Sequence, residues 1–469
     1  VQFADDMDAP TAPGRPGNLT AEQEAKLKEM WAQLLDIFGV LPETVRRARA
    51  NTLSSINEGE EKKKKKSRFG LFGSKSKDAE DEDKHGQTKE FEAALASDNP
   101  AELRAAFWDL VKHDNPDAIV LRYLRARKWD VQNAMVMLVS TIHWTLGVDP
   151  YKSIVAKGEG DAQLQAHPNN TDAKARKAGQ EFLDIAEAGK SFIHGHDVAG
   201  RPVVYIRVRL HRSGQQEDAT MERFTIYTIE TTRLFLTPSI DTATIVFDMQ
   251  DFSLANMDYA PVKFMIKCFE ANYPESLGSV VVYKSPWIFQ GVWKVIRGWL
   301  DPVVASKIHF ENDVAGLEKF IGPPERIMKE LGGREDYAYA YVDPAPGENA
   351  LMQNAAERDA LRAERREIEA RYEAETATWA ATPAATTTPA AGGAGETPAR
   401  SQLAAELTRN YWKLDPYIRA RTLYDRIGVL QPGGKFEHYP NQAAAAADAA
   451  VAPPAAATAT TTAATTTTE

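Results

Sequence analysis

PVVYIRVRL at 202–210, TATIVFDM at 242–249 and SVVVY at 279–283 are the stretches on which the fold turns. Each is rich in Val, Ile, Thr or Tyr, the residues that suit a pleated chain, and the first alternates in part between apolar and polar. Between them the apolar spacing lengthens to a helical period. Met221, Phe224, Tyr227 and Thr228 mark one such stretch, and Val262, Met265, Ile266 and Phe269 another. Strands alternating with helices predict an α/β unit over 174–345 rather than an all-helical one.

Upstream the pattern is helical. Residues 1–18, rich in Pro, Gly, Ala and Asp, predict a flexible leader. Thr20 and Gln23 have capping-box spacing ahead of Leu27, Met30, Trp31, Leu34 and Leu35. Asn115-Pro116 opens a helix through Ile119, Val120, Tyr123 and Leu124, and Asp130 caps one through Ala134, Met135, Leu138 and Ile142. Residues 19–150 therefore read as a helical N-terminal unit, interrupted by a charged insert at about 57–90. The insert runs from Lys62 to Lys66 through Arg68, Phe69, Leu71, Phe72, Lys75 and Lys77 to acidic Asp78 and Asp83. A solvated insert, a tether to anionic membrane at about 1 kcal/mol per basic residue and a nuclear-import signal are all open readings.

Downstream, 346–400 predicts a Glu/Arg-rich helix over 350–375, solvated on several faces, and then an Ala/Thr/Pro/Gly linker. Aromatics return at Tyr411, Trp412, Tyr417 and Tyr424, so 401–440 is expected to dock on something, in this chain or on a protein partner. The Ala/Thr tail at 441–469 cannot build a core and is expected to be disordered.

A net charge of −10 and a pI near 5.6 argue against bulk nucleic-acid binding. One cysteine, Cys268, rules out an internal disulfide and any multi-cysteine metal cluster, and it sits on an apolar helix where packing is the expected role. With no basic region followed by an apolar run at the start, and no run of about 18 apolar residues anywhere, a cytoplasmic location with peripheral membrane contact is expected. The catalytic motifs GxxxxGK[ST], GxSxG, HExxH and GxGxxG are missing. His194 and His196, the closest histidine pair, precede a Gly-Arg-Pro turn where polar residues are ordinary. Neither an enzyme nor a metal site is expected.

Five stretches, in order and spacing, resemble the CRAL-TRIO lipid-transfer family: PGNL at 16–19 with its helix, LRYLRARKWD at 121–130, GRP at 200–202, YPE at 273–275 and LDPVVASKI at 300–308. The resemblance covers about 13–345, and the segment around YWKLDP at 411–416 matches fungal members with an added C-terminal extension. It implies a helical N-terminal cap and a mixed sheet with helices on one side. The other face of the sheet would floor a hydrophobic lipid pocket under a mobile helix. In members that bind phosphatidylinositol, the headgroup is held by positions that are Arg127, Lys128, Glu275 and Lys307 here. A threonine that also contacts the headgroup is Val304. The hydroxyl-bearing positions of the family's phosphatidylcholine site are Ile193, Val204, Ala243 and Ile245, and a choline phosphate left without those donors would lose about 1–3 kcal/mol at each.

The implied ligand is therefore phosphatidylinositol, carried by a monomer with no other cofactor. Burying its phosphodiester unpaired would cost many kcal/mol, and Arg and Lys at the pocket wall are the apt partners. The apolar lining also suits a neutral ligand such as a sterol or a squalene-like lipid, and a membrane-sensing scaffold is a third reading. The stretch from Trp287 to Leu300, with Phe289, Val292, Trp293, Ile296 and Trp299, is apolar over most of its circumference and coincides with the family's gate helix. A helix this apolar is expected to be buried on both sides when closed and to meet the bilayer when open.

Overall fold

The computed structural model describes residues 12–46, 83–382 and 397–439. The polybasic run, most of the charged insert and the 441–469 tail lie outside the described residues.

The N-terminal unit is built from α1 (Ala21–Ile37), α2 (Gln87–Ser97), α3 (Pro100–Val111), α4 (Pro116–Ala126) and α5 (Val131–Val148). Side-chain caps set its starts. Thr20 and Gln23 form the capping box of α1, Asn115 caps α4 with Pro116 in the first turn, and Asp130 caps α5 by accepting from the Asn133 N–H. Leu27, Met30, Trp31, Phe107, Leu124 and Leu138 meet in one core.

After α6 (Gly158–Ala166) and α7 (Ala173–Glu187) comes a five-stranded sheet. It is ordered β1 (Ser191–His196), β2 (Pro202–Arg207), β3 (Ala243–Asp248), β4 (Leu277–Tyr283) and β5 (Ile308–Glu311), with β1 antiparallel to β2 and the rest parallel. Crossovers α8 (Asp218–Arg233), α9 (Tyr259–Lys267), α10 (Phe289–Arg297) and α11 (Pro302–Ser306) connect the parallel strands. One sheet face, with Phe192, Val203, Tyr205, Val246 and Val281, packs on α12 (Val314–Ile321). The other face carries Val204, Ile245 and Val280. β2 stops at Arg207, short of the expected Leu210, because the chain turns into a 3-10 segment there and Arg209 swings to Asp248 at 2.5 Å.

The C-terminal third departs most from expectation. α13 (Ala355–Ala381) is not a solvated helix with a linker from 376. It packs along α1 and α14 (Pro398–Ile418), with Ile368, Tyr372, Thr376 and Trp379 buried. Its charged residues are absorbed in pairs: Arg365 with Glu369 at 3.1 Å, and Glu373 with Arg104 at 2.7 Å. Arg400, 1% exposed, reaches Asp117, 2% exposed, at 2.6 Å and lies 4.0 Å over the Trp379 ring. Beyond α14, the short α15 (Leu423–Arg426) and the ribbon β6 (Leu430–Gln431) with β7 (Lys435–Phe436) lie against β1. Tyr424 and Leu430 pack on Ile193, whose N–H donates to the Tyr424 hydroxyl at 2.6 Å. At Gly195 (φ 63°) a β-carbon would collide with the Tyr439 ring, so this docking depends on glycine there. A buried charge cluster, Lys112–Glu230 at 2.8 Å and Arg233–Asp114 at 3.0 Å, joins α3 and its C-terminal turn to α8. Among the described residues no helix is long and apolar enough to cross a membrane.

Candidate functional site

Between the open sheet face and helices α8, α9 and α10 lies a cavity of about 280 Å³. One water needs roughly 10–15 Å³, so this space is far larger than a packing defect. Val204, Ala243, Ile245 and Val304 line it. Ile193 does not. It lies on the same face of β1, but Tyr424 and Leu430 cover it, a contact that the sequence of β1 alone could not reveal. Those on the sheet face other apolar side chains across its register, as where Val204 pairs with Ile245 and Ile245 with Val280.

Helix α10 roofs the cavity with Phe289, Trp293 and Ile296, followed by Leu300. Only one side of the helix is buried. Trp287 is 86% and Val295 44% exposed, and Lys294 and Arg297 also face outward. The expectation of burial on both sides therefore fails for this conformation: nothing packs on the outer face among the described residues. Trp299 lies across Tyr259 with ring centroids 5.4 Å apart, under Lys263, and Trp293 meets Phe310 at 5.0 Å.

Neither Glu275 nor Lys307 lines the cavity itself; both flank its wall at the N-terminal end of β4. Lys307 Nζ donates to the Leu277 carbonyl at 2.8 Å, and Glu275 lies two residues before it. Ser276, Leu277 and Val304 place this end at the cavity wall. Glu275 is held at φ 55°, a strained conformation for a side-chain-bearing residue, and Arg122 fixes it by donating to its carbonyl at 2.8 Å and to the Asp241 carbonyl at 2.6 Å. Arg127 caps the end of α4 and donates to Gln87, whose amide in turn donates to the Ala271 carbonyl at 3.3 Å. Lys128 is exposed, with φ 51°.

The residue of this run that faces Glu275 is Arg125, Nε to Oε2 3.9 Å, and it also pairs with Asp241 at 3.4 Å. Burial, reinforced by the Arg122 charge, draws the Arg125 pKa down to about 10. Burial opposes ionisation of Asp241, but Arg122 and the hydrogen-bonded Arg15 outweigh it and hold that carboxyl below its usual range. Arg122 and Arg125 were legible as a pair, because a three-residue step puts both on one face of α4. The motif itself points instead to Arg127 and Lys128, the two basic residues after them.

Elsewhere, His194 Nε2 donates to the Glu335 carboxylate at 2.9 Å and the ring stacks on Tyr337. Burial pushes the Cys268 thiol up to about 12. Among the described residues no group of three His, Cys, Asp or Glu side chains is placed to hold a metal ion.

Two family models match the chain, the CRAL/TRIO domain over residues 186–333 and the CRAL/TRIO N-terminal domain over 87–140. A CRAL-TRIO domain-containing protein of Schizosaccharomyces pombe, C3H8.02, is 39% identical over 90% of this chain and 94% of its own length. The phosphatidylinositol transfer protein CSR1 of Eremothecium gossypii is 36% identical over 91% of this chain and 100% of its own. The Sec14 cytosolic factor of Schizosaccharomyces pombe is 25% identical over 46% of this chain and 74% of its own. With similarity running through the helical cap, the sheet and the C-terminal segment alike, this chain belongs to the CRAL-TRIO family.

Proposed function

We propose that the chain binds one phosphatidylinositol molecule and carries it between membranes without chemical change. The acyl chains lie in the cavity and the headgroup at the end near Glu275 and Lys307. The single observation that carries this reading is an apolar cavity whose wall at one end, Ser276, Leu277 and Val304, adjoins Glu275 and Lys307 in the chain, under a helix whose outer face is exposed. Lys307 and Arg125 answer the phosphodiester charge, and the Glu275 carboxylate accepts from inositol hydroxyls. Arg127 and Lys128 serve as outer contacts. The relative named as a phosphatidylinositol transfer protein, matched over its whole length, supports the same ligand. The relative named as a cytosolic factor supports work in the cytoplasm, and the reading includes transient contact at membrane surfaces by a monomer.

Glu275→Ala combined with Lys307→Ala tests it. Transfer of labelled phosphatidylinositol between vesicles is expected to fall at least tenfold while the melting curve stays cooperative. Unchanged transfer by the folded double variant would remove the headgroup assignment. A second reading, a carrier of a neutral hydrophobic lipid, is favoured by Val204, Ala243, Ile245 and Val304, which offer the ligand no hydroxyl. Mass spectrometry of lipids that co-purify with the chain separates the two.

A further inference from the structure

The cavity has a second polar end. β3, six residues long, runs the length of its floor, which sets the two ends roughly 20 Å apart at about 3.3 Å per residue. At the end away from Glu275 and Lys307, Lys190 and His211 line the wall. The Lys190 carbonyl accepts from the Arg207 N–H at 2.8 Å, which places Lys190 beside the last residue of β2.

Lys190 is 7% exposed and donates to two amide oxygens, Gln215 Oε1 at 2.8 Å and Gln216 Oε1 at 2.9 Å. Among the described residues it has no ion-pair partner, which sets it apart from the buried Lys28 and Lys112, each paired with a glutamate. A desolvated ammonium without a counter-charge is costly. Burial lowers its pKa accordingly, and the more distant Asp184 carboxylate offsets only part of that effect. His211 stands close enough to feel the Lys190 charge. Its Nε2 is 3.3 Å from Asp258 Oδ2, while its Nδ1 is buried with no hydrogen-bond partner among the described residues. Asn256 fixes the ring's backbone by donating to the His211 carbonyl at 2.7 Å.

We propose that this end is a second ligand subsite, which takes the carboxylate of a single-chain amphiphile whose alkyl tail lies along the cavity. The charge count selects a monoanion. Lys190 supplies the one cation at this end without a carboxylate partner among the described residues, since Arg207 is paired with Glu330, and Asp258 stands beside His211, so a phosphate dianion would be repelled. An alcohol would leave the Lys190 charge uncompensated. The carboxylate compensates Lys190 and also favours the charged form of His211, which then takes up one proton from solvent and donates it from Nδ1 to the ligand.

The test uses the full chain and palmitate, with hexadecanol as the uncharged probe, in calorimetric titrations at pH 7.5. Neither probe involves the phosphatidylinositol headgroup, so a failed phosphatidylinositol assay leaves this one intact. Palmitate is expected to bind at least tenfold tighter than hexadecanol, with proton uptake visible as a dependence of the heat on the buffer. Lys190→Met should erase the preference, Lys190→Arg should keep it, and His211→Phe should abolish the proton uptake. Equal affinity for the two probes would overturn the proposal. So would undiminished palmitate binding by a folded Lys190→Met variant, since Lys190 would then be a structural donor to Gln215 and Gln216 alone.

Discussion

Opening of α10 can be timed with one introduced thiol. Phe289, Val292 and Ile296 are 7%, 6% and 9% exposed, while Trp293 and Leu300 are half-buried. Full burial of such a side chain is worth about 1.5–3 kcal/mol, so lifting this face into water costs on the order of 8 kcal/mol. At 1.4 kcal/mol per factor of ten, the open state in water is populated at about one part in 10⁵ to 10⁶. Ile296→Cys places a thiol on the buried face. Cys268, fully buried with its pKa pushed up to about 12, stays silent to a maleimide. N-ethylmaleimide labelling of the Ile296→Cys variant, followed by mass spectrometry, should be slower than that of a free thiol by at least 10⁴-fold in buffer. It should accelerate at least a hundredfold with phosphatidylinositol vesicles, because the bilayer then covers the exposed apolar face together with Trp287 and Val295. Fast labelling in buffer would show that the helix does not hold the cavity closed. Transfer that proceeds without any acceleration would mean that lipid enters by another route.

Phosphatidylcholine should be transferred at less than a tenth of the phosphatidylinositol rate in the same vesicle assay, because Val204, Ala243 and Ile245 give its phosphate no donors at the floor; comparable rates would show that it finds them elsewhere. Arg400→Ala leaves the buried Asp117 carboxylate, among the described residues, with the neutral donors Trp31 and Tyr372, and should cost about 3–5 kcal/mol in urea unfolding. Arg400→Met with Asp117→Asn should recover much of that loss, and a single-variant cost under about 1 kcal/mol would refute the pairing. Burial holds His113 at about 4, neutral, with both ring nitrogens unpartnered among the described residues. The unfolded chain takes up that proton near pH 6.5, so stability from this group is lost as pH falls from 6.5 toward 4. His113→Phe should therefore be more stable than the parent chain by about 3 kcal/mol at pH 4.5, relative to their difference at pH 7.5, and parallel pH profiles would contradict it.

Legibility in the sequence followed the range of the forces involved. Caps are local, so Thr20 with Gln23, Asn115 with Pro116, and Asp130 stand where the sequence puts them. The apolar cores of β2, β3 and β4 were equally plain, and the floor positions Val204, Ala243 and Ile245 came through the family resemblance. β1 was hard to read because SFIHGH carries two histidines and a glycine. Its histidine at 194 is absorbed by Glu335, its glycine by Tyr439, and both partners lie more than 100 residues away. α13 was misjudged for a related reason. Arg365, Glu369 and Glu373 signal solvent by residue type, yet each finds a partner that only the tertiary fold supplies. Of the proposed contacts, Glu275 and Lys307 came from the motifs, whereas Arg125 needed the helix face and Lys190 needed the cavity.

The cover over β1 also sets a schedule for biosynthesis. Tyr424, which closes the fold over Ile193, is 231 residues downstream of it. At about 5–20 residues per second, a ribosome adds the closing segment roughly 10 to 45 s after β1 has been made. Throughout that interval the nascent sheet shows an uncovered apolar edge to the cell, where a chaperone or a first lipid can reach it. Arrival of this segment, rather than formation of the sheet, is thus the event that completes the fold.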